Sequence, residues 1–81
     1  MRRKNLLARL SGLYAISMPN FPQHLRAARL AARLTQAEAA KRAGIHQSAW
    51  ARYESGGRQP AIDQAERLAK AVKKRLAELL K

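Results

Sequence analysis

The chain has 81 residues, room for one small domain, and no cysteine, which excludes a disulfide framework and thiolate metal sites. Seventeen Lys and Arg against five Asp and Glu give a net charge of +12. So basic a balance favours a polyanionic partner, nucleic acid ahead of an anionic membrane surface, and no apolar run is long enough to span a bilayer.

The charge is uneven: +4 over residues 1–20, +3 over 21–35, +1 over 36–56 and +4 over 57–81. Residues 1–20 hold no acid, and Arg9 interrupts their apolar stretch, which makes a poor secretion signal. They read as a basic, flexible extension ahead of a domain over 21–81. Together with the lack of cysteine, this points to a cytoplasmic protein.

From Pro22 onward the pattern is helical, with scarce β-branched residues and abundant alanine. Pro22 suits a first helical position, and Leu25, Ala28, Arg29 and Ala32 share a face, predicting a helix over residues 22–33. Thr35 with Glu38 three residues on is a capping box that opens a second helix, 36–43. Gly44 ends it by supplying a left-handed backbone, and Ile45 is an apolar plug. A third helix, 47–55, follows and stops at Gly56. After Pro60, the stripe Ile62, Ala65, Leu68, Ala69, Val72, Leu76, Leu79 and Leu80 predicts one long helix, or two with a break near Lys73 and Lys74.

Two short helices joined by a tight glycine turn cross steeply. Ala39 and Ala40 offer the small side chains such a crossing needs. On the third helix Ala49, Trp50 and Tyr53 point to one side, while Ser48, Ala51, Arg52 and Ser55 point to the other. The second set is small or hydrogen-bonding, with one long cation and no acid. It suits a major groove, where bulk is limited and base edges offer acceptors.

The stretch "LTQAEAAKRAGIHQSAWARYESGGRQP" resembles the helix-turn-helix of the lambda-repressor/Cro-type family, also called XRE-type regulators. Thr35-Gln36-Ala37-Glu38, Ala40, Gly44, Gln47-Ser48, Glu54, Gly56 and Pro60 stand at that family's spacing. The likeness runs from about Leu25 to Leu80. It implies an all-α fold: a compact four- or five-helix lambda-repressor-like bundle whose third helix reads the major groove. It also implies site residues. Gln36 would touch a phosphate, as its place at a helix N-terminus independently suggests. His46, Gln47, Ser48 and Arg52 match base-reading positions. Gln47 can pair with adenine and Arg52 with guanine, each worth about 1–3 kcal/mol of discrimination when bidentate. Arg58 would meet a phosphate, and Arg29 and Glu54 match an ion pair between the first and third helices.

Four positions depart from the family pattern. Trp50 replaces a smaller aliphatic residue, so its indole N–H needs a partner. His46 and Ala61 stand where helix caps are usual, and each lost cap costs about 1 kcal/mol. Lys73 replaces a frequent glycine, which puts a separate fifth helix in question.

The resemblance implies a sequence-specific double-stranded DNA-binding regulator, a repressor acting as a homodimer on a palindrome with recognition helices about 34 Å apart. Leu76, Leu79 and Leu80 would form the dimer contact or close the domain's own core. The alternative is an antitoxin that binds a toxin and represses its own operon. The sequence shows no catalytic constellation and no cofactor motif, so no enzyme is expected. His24 and His46 lack a second ligand at helical spacing and do not read as a metal site. Helices punctuated by glycine and proline argue against a membrane-binding peptide.

Overall fold

A computed structural model describes residues 20–80, which form five helices in the order α1 (Phe21–Ala31), α2 (Gln36–Ala43), α3 (Gln47–Ser55), α4 (Ile62–Ala71) and α5 (Leu76–Leu79). Among these residues there is no strand, as the all-α expectation requires. The predicted extension over 1–20 lies outside the described residues, apart from Asn20.

α1 begins at Phe21 with Pro22 in its first turn. It stops at Ala31, two residues short of the predicted end, because Arg33 turns left-handed (φ 61°). The Arg33 N–H bonds the Leu30 carbonyl, and the Leu34 N–H reaches back to Arg29, satisfying carbonyls that α1 leaves open. α2 opens with the predicted capping box. Thr35 Oγ1 accepts from the Glu38 N–H (3.0 Å), and the Glu38 carboxylate accepts from the Thr35 N–H (2.8 Å). Gly44 closes α2 at φ 73°.

The stripe after Pro60 forms two helices rather than one. α4 ends at Ala71, and Lys73 takes φ 61° where glycine is the cheap choice. The N–H groups of Lys73 and Lys74 cap the carbonyls of Lys70 and Ala69, repeating the device that ends α1. α5 then starts with the Arg75 N–H held by the Glu78 carboxylate (2.8 Å). A fifth helix therefore forms although Lys73 stands in place of glycine.

Packing runs round a ring: α1 meets α3, α3 meets α2, α2 meets α4, α4 meets α5, and α5 returns to α1. The core holds Phe21, Leu25, Trp50, Leu68 and Val72 as its largest fully buried side chains. Each contributes about 1.5–3 kcal/mol through burial. Ala39 and Ala40 are buried, as the close α2–α3 crossing demands, and Ile45 packs half-buried against the core. Leu79 is buried and Leu76 half-buried, so these two leucines close the domain's own core; only Leu80 of the three stays exposed. His24 Nδ1–H donates to the Leu79 carbonyl (2.9 Å), tying the first turn of α1 to the end of α5.

Candidate nucleic-acid interface

The site is α3 and what holds it. Trp50 and Tyr53 are buried and Ala49 is half-buried, which fixes the rotation of the helix about its axis. That rotation leaves His46, Gln47, Ser48, Arg52 and Ser55 exposed, while Ala51 is half-buried. Ser48 and Arg52 stand one turn apart on one face, as do Gln47 and Ala51. His46 occupies the N-cap position with extended backbone, but its side chain makes no cap bond. The start of α3 therefore keeps open N–H groups beside His46 and Gln47.

One carboxylate anchors α3 to two other helices. Glu54 accepts from Arg29 Nε (2.6 Å) and Nη2 (3.2 Å) on α1, from Gln36 Nε2 (3.1 Å) on α2, and from the Trp50 indole N–H one turn earlier on α3. Arg29 Nη1 also donates to the Leu34 carbonyl (2.9 Å), which pins the α1–α2 turn. The Glu54 and Arg29 side chains are 4% and 10% exposed. Burial pushes the Glu54 carboxyl up, but bonds from Arg29, Trp50 and Gln36, with the charge of Arg29, outweigh it. The group titrates below the usual glutamate range. Among the described residues no buried side-chain polar atom lacks a partner.

The Arg29–Glu54 pair implied by the resemblance is thus present, and Trp50 finds its partner without exposing its indole. Gln36 sits at the first position of α2, with one amide N–H committed to Glu54; its second amide N–H and its backbone N–H remain for other acceptors. Arg58 lies with its guanidinium 5.5 Å from the centre of the Tyr53 ring, which holds the loop after α3 against that helix. Between α3 and the start of α4 runs an open groove of about 480 Å³, walled by Ala49, Tyr53, Arg58, Gln59, Asp63 and Gln64. Ala61 begins α4 without a side-chain cap, as the sequence predicts.

His46, Gln47, Ser48 and Arg52 therefore share one element, with Gln36 joined to it through Glu54 and Arg58 through Tyr53. Sequence reasoning missed the fourfold sharing of Glu54. The spacing of Trp50 and Glu54, four residues apart on one helix, could have signalled their bond; nothing in the sequence signals the reach of Gln36 to Glu54. Among the described residues no group of acids and histidines could hold a metal ion, and no helix is long and apolar enough to cross a membrane.

A family profile described as a helix-turn-helix domain matches residues 21–80, so the chain belongs to that family of DNA-binding folds. The resemblance read from the sequence is borne out. No curated protein and no solved structure matches the chain significantly.

Proposed function

We propose that the protein is a sequence-specific transcriptional regulator, a repressor, that reads double-stranded DNA in the major groove with α3. The observation that carries this reading is the outer face of α3: four polar or basic side chains at His46, Gln47, Ser48 and Arg52, all exposed, without an acid, on a helix locked by Trp50, Tyr53 and Glu54. Such a face offers donors to base edges at little cost in side-chain order. Arg52 reaches a guanine and Gln47 an adenine. Arg58 and the open N–H groups of Gln36 take phosphates on either side and set the register. Exposed cations elsewhere raise the association rate and make binding steeply salt-dependent.

Two copies on one duplex, one per half-site, would read a palindrome with half-sites about one helical turn apart. Repression then follows from occupying a promoter, and the protein works in the cytoplasm. Selection from random duplex DNA tests the reading: a two-fold symmetric motif is the expected outcome, and enrichment of no motif overturns it. The antitoxin reading uses the same DNA face and adds a protein-binding one. Co-expression with the product of the neighbouring gene separates the two, since only an antitoxin rescues growth by direct binding.

A further inference from the structure

The carboxylate of Glu54 is filled. An ionised carboxylate offers about four acceptor sites, and four donor contacts reach this one. Oε1 accepts from Gln36 Nε2 (3.1 Å) and Arg29 Nη2 (3.2 Å), and Oε2 from Arg29 Nε (2.6 Å) and the Trp50 indole N–H. Arg29 and Trp50 are buried, whereas Gln36 is half-buried and keeps a side to solvent. The network therefore runs from the core to the surface, and it ends on the amide that the DNA reading assigns to a phosphate.

Charge fixes which way that amide points. The Glu54 carboxyl titrates below the usual glutamate range, so at neutral pH it accepts and cannot donate. Gln36 can meet it only through Nε2; a flipped amide would set Oε1 against the carboxylate, oxygen to oxygen. The second proton on Nε2 is left for another acceptor. A phosphate needs that donor, because it would repel a carbonyl oxygen. The main chain ahead of Gln36 is tied to the same ion pair: Arg29 Nη1 donates to the Leu34 carbonyl (2.9 Å). Side chain and backbone at the start of α2 thus both refer to one carboxylate on α3.

We propose, resting on the DNA reading above, that Glu54 is a positioning residue for DNA binding. It holds the Gln36 amide by Nε2 and so aims the remaining N–H at a backbone phosphate, in fixed register with Gln47, Ser48 and Arg52 on its own helix. The carboxylate itself touches no DNA; its effect on phosphate binding runs through Gln36. Arg58 is held separately, 5.5 Å from the centre of the Tyr53 ring, and serves as the control.

The test uses the full chain and the duplex it selects, with single phosphates replaced in turn by neutral methylphosphonates. Replacing a contacted phosphate should weaken the parent about tenfold, the order of a hydrogen bond to a charged group. The Gln36 phosphate is the one whose replacement no longer matters in Gln36→Ala; Arg58→Ala identifies the other in the same way. Glu54→Gln should lose the penalty at the Gln36 phosphate and keep it at the Arg58 phosphate. The two losses should also fail to add: the double variant should bind within about twofold of Glu54→Gln alone. Circular dichroism in the cold verifies that each variant is folded. A second measurement needs no change at Glu54. Of the two side-chain amide protons of Gln36 in the parent, one should shift when the unmodified duplex is added, while the one bonded to Glu54 stays in place.

A Glu54→Gln variant still penalised at the Gln36 phosphate, or one that loses both penalties together, overturns the proposal. So do additive losses, a selected duplex with no Gln36-dependent phosphate, or release of the amide from Glu54 in the complex. All of these leave α3 as the reading helix, whereas a chain that selects no duplex overturns the DNA reading and this proposal with it.

Discussion

The indole N–H of Trp50 donates to the carboxylate of Glu54, one turn further along the same helix, and that carboxylate also binds Arg29 and Gln36. α3 is therefore held at its C-terminal half by α1 and α2 through a single side chain. The consequence reaches the recognition face: the rotation that buries Trp50 is the rotation that exposes Arg52.

Removing either side of this network should be costly. Arg29→Met leaves a buried carboxylate with only neutral donors, and loss of about 3–5 kcal/mol is expected for an ion pair broken on one side. Trp50→Phe keeps the aromatic bulk but removes the indole N–H; about 2 kcal/mol is expected from the lost charge-assisted bond and the smaller volume. A small domain holds only about 5–15 kcal/mol in total, so urea denaturation should show a large fall in the midpoint for Arg29→Met.

Acid should destabilise the fold through the same residue. The folded pKa of Glu54 lies below the ordinary glutamate value, so the folded state binds its proton less readily than the unfolded one. The stability it contributes is fully present above the unfolded pKa, about 4.3, and is lost as pH falls through the folded value. Glu38, lowered by the backbone and side-chain bonds from Thr35, shifts in the same direction. Melting temperature followed from pH 6 down to pH 3 (on the order of the carboxylate range) should fall in the parent, and Glu54→Gln, though less stable throughout, should show a shallower fall.

The helix ends make opposite predictions for two left-handed positions. A Cβ at Gly44 would meet nothing within 4 Å, so Gly44→Ala is disfavoured by its backbone conformation alone. About 1 kcal/mol of destabilisation is expected. Lys73→Gly relieves the same strain at φ 61°, and a gain of about 0.5 kcal/mol is expected after the entropy cost of glycine. Chemical denaturation of the two variants measures both signs.

Arg52 should carry specificity rather than bulk affinity. Arg52→Ala should lose about 1–3 kcal/mol on the selected duplex and much less on random DNA. Equal losses on both duplexes would make Arg52 a phosphate contact.

Most of the fold was legible because its signals are local. The Thr35–Glu38 box, Gly44, Gly56 and the spacing of Leu68 and Val72 each act within a few residues, and the helices they predict are present. The sequence misled at Arg33 because a cation is not the residue expected in a left-handed turn; the backbone bonds that end α1 there, from the Arg33 and Leu34 N–H groups to Leu30 and Arg29, are local but do not depend on side-chain type. Phe21 was unread as core for a related reason, since a residue ahead of Pro22 looks like an approach to the helix rather than its first buried turn. Tolerance of Lys73 in place of glycine shows that a capping motif can survive the loss of its preferred residue when its two backbone bonds form. The groove between α1 and α5, lined by His24, Ala28 and Leu79 among others, could not be seen in advance, because its walls are brought together across some 50 residues of chain.

Backbone amide shifts of the full chain, recorded as the selected duplex is added at physiological salt, test the central claim most directly. The largest changes are expected at His46 through Arg52, with smaller ones at Gln36 and Arg58 and none along Lys70 to Arg75. Changes confined to Lys70–Arg75, with α3 unmoved, would contradict it.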